Sequence, residues 1–136
     1  MASIIPKQVK KAITDGWAAE TLYVTLHTST FPNTPGAYDV YADLTNELPT
    51  AGGYTLGGKE VTGRTSAYDG ESAVLDATAD IAWPSSTFAD VKFVIVRNNT
   101  TGKIRAIYEL TTAQSVTSGT FTIQWNVLGL IKASSV

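Results

Sequence analysis

The chain contains no cysteine in its 136 residues, so it can build neither a disulfide framework nor a thiolate metal site. It has one histidine, His27, which leaves a catalytic metal or a Ser-His-Asp triad short of its usual partners. Charge is also scarce. Charged residues make up 16% of the chain, and 10 basic against 12 acidic side chains leave a net charge of −2. That balance supplies no electrostatic drive toward nucleic acid or an anionic membrane. No apolar run is long enough to span a bilayer. The opening segment from Met1 to Lys7 lacks the charged and apolar regions of a signal peptide. Synthesis in a cytoplasm is therefore expected, where the sequons at Asn98 and Asn99 carry no glycan.

What is present is a set of β-forming runs separated by Gly, Pro and Asn. Residues 91–97 are apolar apart from Lys92 and Arg97, with Val91, Phe93 and Ile95 on one face and Val94 and Val96 on the other. Such a run predicts a central strand covered on both sides. The polar connector 98–103 and the half-exposed alternation of 104–110 complete a hairpin. In residues 20–28, Leu22, Val24 and Leu26 alternate with Tyr23, Thr25 and His27, which predicts a strand with the latter three facing out. Residues 72–79 place Ala73, Leu75 and Ala77 on one face and Val74, Asp76 and Thr78 on the other. Residues 120–126 place Phe121, Ile123 and Trp125 inward. Further short strands are expected at 59–67 and 80–83, with Pro84 ending ladder pairing there or marking an edge, a turn at 68–71 and another at 117–119. Seven or eight strands with one helix predict a mainly β fold, an antiparallel β-sandwich or jelly roll. The expected organisation is an N-terminal helical segment (1–19), one sandwich domain (20–131) and a loose tail (132–136).

The helix is expected over 3–15, with Ser3 as cap, Pro6 in the first turn and Asp15-Gly16 as the end. Val9, Ala12 and Ile13 fall at helical spacing, and Lys7, Lys10 and Lys11 are expected on the wet side. With Ile5, the residues Val9 and Ile13 form an apolar stripe on a helix too short to be stable without docking. The stretch 29–41 is long for a loop in a compact domain and holds Phe31, Tyr38 and Tyr41 between prolines. These aromatics either contact a partner or cover one end of the core. Together Phe31, Tyr38, Tyr41, Ile5, Val9 and Ile13 are the candidate partner interface. Asp39, Asp43 and Glu47 recur at every fourth residue and are expected on the solvated side of a short helical turn.

Three chemical motifs fail on their details. Residues 53–59 resemble the start of a phosphate-binding loop, but Glu60 stands where Ser or Thr must hold Mg²⁺, and a strand-like pattern follows. Residues 76–80 offer alternating oxygen ligands without the turn glycine or bidentate glutamate of a Ca²⁺ loop. Carboxylates are plentiful, but nothing in the spacing pairs two of them for glycosidase chemistry. No catalytic, metal or cofactor residue is therefore expected, and the chain is read as not an enzyme.

A longer pattern lies in the order of several short pieces. Tyr23-Val-Thr-Leu-His-Thr-Ser-Thr-Phe-Pro-Asn33 precedes Leu44-Thr-Asn-Glu-Leu48 and Gly53-Tyr-Thr-Leu-Gly-Gly58. Then come Tyr68-Asp69, Leu75-Asp-Ala-Thr-Ala-Asp-Ile-Ala-Trp83, Val94-Ile95 and Gly119-Thr-Phe-Thr-Ile-Gln-Trp125. Over residues 20–131 this series resembles small virion structural proteins of tailed bacteriophages. The resemblance implies a particle subunit without catalytic residues, made in the host bacterial cytoplasm and residing in the virion. Its implied partners are the major capsid protein or tail proteins, with further copies of itself as a homo-oligomer, and neither nucleic acid nor membrane. Capsid decoration is the leading expectation. A tail, neck or baseplate component, or a carbohydrate-binding adhesion module whose aromatics stack on sugars, is the alternative.

Overall fold

The structure is a computed structural model that describes residues 6–32, 34, 38–77, 79–124 and 131–133, the last three as backbone. In chain order the elements are α1 (Lys7–Ala18), β1 (Leu22–Thr28), a 3₁₀ turn (Tyr41–Asp43), β2 (Lys59–Glu60), β3 (Arg64–Asp69), β4 (Ser72–Ala77), β5 (Ile81–Asn98), β6 (Ile104–Ile123) and β7 (Ile131–Ala133). The fold is mainly β, with antiparallel sheets and one N-terminal helix. The described elements fall into two compact units, one holding β1, β2, β5 and β6, the other α1, β3, β4 and β7.

The larger unit is a sheet in the order β2-β1-β5-β6. β5 lies between β1 and β6, so Phe93 and Ile95 are buried on one face and Val94 and Val96 on the other. β-Branched and aromatic residues fit such a doubly covered strand because their side chains pack against neighbours on the pleat. β1 pairs with β5 through Val24 opposite Val96 and His27 opposite Phe93, and Leu22, Val24 and Leu26 are fully buried. Thr25 and His27 are fully buried too, which corrects their expected outward placement. Their face of the sheet is closed by Phe31, which packs on Phe93 and Ile95 together with Tyr38, Leu44, Ile104 and Ile107.

β5 and β6 are longer than expected. Pro84 does not stop β5, because the register with β6 slips between Trp83 and Ser86, and a proline within such a bulge removes no ladder bond. Ser85 takes the left-handed φ of 50° at that slip. The turn expected at 117–119 is likewise absent. β6 runs through it, with Ser118 at φ 47° and its N–H donating to Thr87 Oγ1 (2.9 Å). Successive register slips accommodate the small residues without reversing the chain. The hairpin at 98–103 is as expected: Asn98 Oδ1 accepts from the N–H groups of Thr100 (2.7 Å) and Thr101 (2.9 Å), and Gly102 supplies a φ of 80°. Phe121 and Ile123 are half-buried, and Trp125 lies outside the described residues.

In the smaller unit the sheet order is β3-β4-β7. The expected strand at 59–67 is in fact two: β2 belongs to the larger sheet, β3 to the smaller, and residues 61–63 break the run. β4 shows the expected alternation, with Ala73, Leu75 and Ala77 buried. Residues 132 and 133, expected in a loose tail, pair with Val74 and Ala73. α1 lies on β3 and β4 and continues past Gly16, its expected end, to Ala18. Arg64 Nε donates to the Ala18 carbonyl there (3.2 Å), which satisfies a terminal acceptor. Pro6 is the N-cap, and Ser3 lies outside the described residues.

The helix is turned relative to expectation. Lys10 is 3% exposed and Thr14 is fully buried, whereas Val9 and Ile13 are 50% and 43% exposed. The reason is the surface it meets. β3 presents Ser66, whose hydroxyl bonds the Thr14 hydroxyl at 2.6 Å, and Tyr68, whose ring lies 5.1 Å and 5.7 Å from the ammonium groups of Lys7 and Lys11. A hydroxyl and an aromatic face select the Thr and Lys side of the helix, and the lysine stems supply the apolar contact.

Candidate functional site

A group of ionisable side chains forms around Glu47, where three loop-borne residues meet the Arg97 end of β5. Glu47 follows the 3₁₀ turn, and its backbone bridges that of His27 in β1, which fixes its position beside the sheet. Its carboxylate accepts from the hydroxyl of Tyr41 on one oxygen. On the other it accepts from the hydroxyl of Tyr54 (2.5 Å) and the N–H of Gly57 (2.8 Å). The Tyr54 hydroxyl in turn accepts from the N–H of Leu26 at 3.1 Å. Glu47 is thus half-buried and fully engaged, not on a solvated acidic side as expected. Asp43 instead caps its own turn, its Oδ2 accepting from the N–H groups of Asp39 and Val40, both at 3.2 Å.

Arg97 closes the other side of this group. It is 6% exposed, its guanidinium carbon lies 4.1 Å from the ring centre of Tyr41 and 5.4 Å from that of Tyr23, and it donates to Gly57 O (2.6 Å) and Asn99 Oδ1 (3.0 Å). Gly57 is therefore held at both ends of its backbone, N–H to Glu47 and C=O to Arg97. The contacts form a ring: Arg97, Gly57, Glu47, Tyr41 and back to Arg97. Gly57 at φ 98° and Gly58 at φ 84° let the chain pass at this distance, and a Cβ on Gly58 would lie 1.9 Å from Val24 O.

The electrostatics follow from burial. Burial, then the bond to Glu47, pushes the Tyr41 phenol up to about 12, and the same two causes raise Tyr54 further. Burial lowers the pKa of His27 below the ordinary imidazole value, against a smaller opposing effect of its Nδ1 contact with Thr45 O (2.9 Å). With Nδ1 facing a carbonyl, Nε2 is the acceptor for Thr25 Oγ1 at 2.9 Å. The two phenols and the imidazole are thus each favoured in the neutral form, whereas Arg97 Nε is buried with no hydrogen-bond partner among the described residues. The cluster ties loops to a sheet.

The expected interface residues divide. Phe31 is 3% exposed, its ring 5.1 Å from those of Phe93 and Tyr38 and 5.2 Å from that of His27. Tyr38 is half-buried beside it and its hydroxyl donates to Pro32 O; Tyr41 is held by Glu47 and Arg97. The core is thus where Phe31 goes, and the loop aromatics are engaged within their own unit. Val9 and Ile13 remain on the surface, and Ile5 lies outside the described residues. Of the expected residues, then, the structure leaves the α1 pair exposed. Leu56 (58%) and Tyr68 (46%) are the other large exposed apolar side chains described.

Among the described residues no three His, Asp or Glu side chains gather in a way that would hold a metal ion, and no helix is long and apolar enough to cross a membrane. Comparison of the chain with models of protein families, with curated proteins and with solved structures gives no match.

Proposed function

We propose that this chain is a non-enzymatic structural subunit of a tailed bacteriophage particle, a capsid decoration protein that binds the shell in many copies. The observation that carries this reading is the ordered series of short motifs across residues 20–131. The site chemistry is compatible with it, since the Glu47 carboxylate and both phenols of the ionisable cluster are engaged by one another. Trp83 is 4% and Phe31 3% exposed, so these aromatics are unavailable as a sugar-stacking platform, which weighs against the adhesion reading. A surface poor in charge and rich in Ser and Thr suits a protein that binds by shape and repetition. Many equivalent contacts on a symmetric shell convert modest single-site affinity into durable attachment.

Attachment is assigned to the exposed side of α1. Val9 and Ile13 lie one turn apart, on a helix whose fold is secured by its opposite face, so they are available to a groove on the shell. Replacement of both by Glu tests this. The variant is expected to keep its melting temperature within a few degrees and to be lost from purified particles. Full incorporation of the folded variant would remove α1 as the attachment element, and absence of the unaltered chain from particles would remove the reading as a whole.

A further inference from the structure

β6 is an edge strand: the sheet order places β5 on one side of it and no described strand on the other. Edge strands are blunted by Lys, Pro, bulges or a covering segment; residues 104–123 contain neither Lys nor Pro, and the register of β6 with β5 is unbroken over 106–109. Two features of the fold bound the open part. At its start, Ile104 N–H donates to Asp39 O (3.0 Å) and Tyr41 N–H to Gly102 O (2.7 Å), so residues 39–41 cover the edge at 102–104. At its far side, Phe93 faces Glu109 but Val91 faces Gln114, so residues 110–113 bulge out opposite Lys92, whose Nζ holds Leu110 O (2.6 Å) and Thr111 O (3.0 Å). Residues 105–109 lie between. The stretch holds both charged side chains of β6, Arg105 at the register slip by Val96 and Glu109 at the opposite end.

We propose that residues 105–109 pair with the same residues of a second copy, antiparallel about a two-fold axis through Ile107. In that register Arg105 of each copy faces Glu109 of the other, Ala106 faces Tyr108, and Ile107 faces itself. Opposite charges directly across from each other are among the pairs that stabilise neighbouring antiparallel strands. A two-fold interface is self-complementary, and a strand with opposite charges equidistant from its centre meets that condition. Moving the axis to Tyr108 sets Glu109 against Ile107 and Arg105 against the bulge, so charge selects the register. The pairing also ends where the covered edge of one copy meets the bulge of the other. This inference stands on β6 alone and does not depend on a particle.

Sedimentation velocity of the full chain across a concentration series tests it. The unaltered chain is expected to show a reversible monomer–dimer equilibrium. Arg105→Glu alone and Glu109→Arg alone place like charges opposite twice, and each is expected to weaken dimerisation at least about tenfold. An equimolar mixture of the two single variants restores every pair to opposite sign and is expected to dimerise as the unaltered chain does; so is the double variant. Circular dichroism checks that each variant is folded, and Glu109→Lys serves with an intact Arg105 should Arg105→Glu destabilise the fold. A monomer at all concentrations overturns the proposal, as does association that ignores the single reversals. Failure of the mixture to recover would place the contact elsewhere, or reserve the edge for a strand of a different protein, and overturns it equally.

Discussion

Glu47 is the residue whose loss the larger unit should tolerate least. Its carboxylate is the acceptor for two tyrosine hydroxyls and a backbone N–H, so Glu47→Ala leaves three donors without their partner in a half-buried site. A destabilisation of about 3 kcal/mol is expected, read from the denaturant midpoint at unchanged slope. Tyr54→Phe keeps the ring against Trp83 and Phe88 but removes the bonds to Glu47 and Leu26, and should cost about 1–2 kcal/mol. Raised phenols bear on the alkaline side of the fold's stability, and burial pushes Tyr108, outside this group, up to about 12 as well. Tyr41 and Tyr54 have raised folded pKa values, so the unfolded chain ionises first; stability should fall as pH climbs from the ordinary phenol value near 10 through about 12. His27 is shifted the other way. Its neutral form is favoured in the fold, so stability is full above the ordinary imidazole value and declines as pH drops from there toward its lower folded value. Thermal melts from mildly acidic to strongly alkaline pH should therefore fall at both ends, and His27→Gln should flatten the acid side.

At the scale of the element, two glycines separate a turn requirement from an accident of composition. Gly16 lies inside α1 with nothing near the place of a Cβ, so Gly16→Ala should stabilise by about 0.5–1 kcal/mol. Gly58 holds φ 84° beside Val24 O, and Gly58→Ala should destabilise by about 2–3 kcal/mol through strain and clash. Chemical denaturation of both variants checks the contrast in sign. The strands were legible where each face has one fate, as in β4, where every second residue is buried, and in the central part of β5, where the whole run is apolar. Boundaries were not. Pro84 and the Ser118-Gly119 pair signal breaks locally, but slips of register against a long partner strand absorb them. Periodicity located α1 but could not orient it, because its apolar stripe and its Lys/Thr stripe are both regular, and the choice belongs to Ser66 and Tyr68 on another element. The Glu47 cluster escaped for a related reason. Its partners stand 6, 7 and 10 residues away along loops, a set that no single helix or strand face brings together.

At the scale of the whole molecule, each unit is secured from within, and few large apolar side chains stay exposed among the described residues. In the larger unit the aromatic and charged residues that a binding loop would offer are engaged by the sheet, from Phe31 on Phe93 to Arg97 on Tyr41. In the smaller unit the apolar pair Val9 and Ile13 faces outward from a helix docked by its polar side. The proposed role was legible in the chain only as an order of short motifs, because a structural subunit of the kind proposed would carry no reactive constellation to find. The central claim is that the chain is a repeated part of a phage particle, and imaging the particles that carry it at a resolution that separates strands tests this most directly. The account predicts density for the two sheets and α1 at symmetry-related positions on the shell, with α1 against the shell surface. Particles complete without that density, with the chain recovered only in the unassembled fraction, would contradict it.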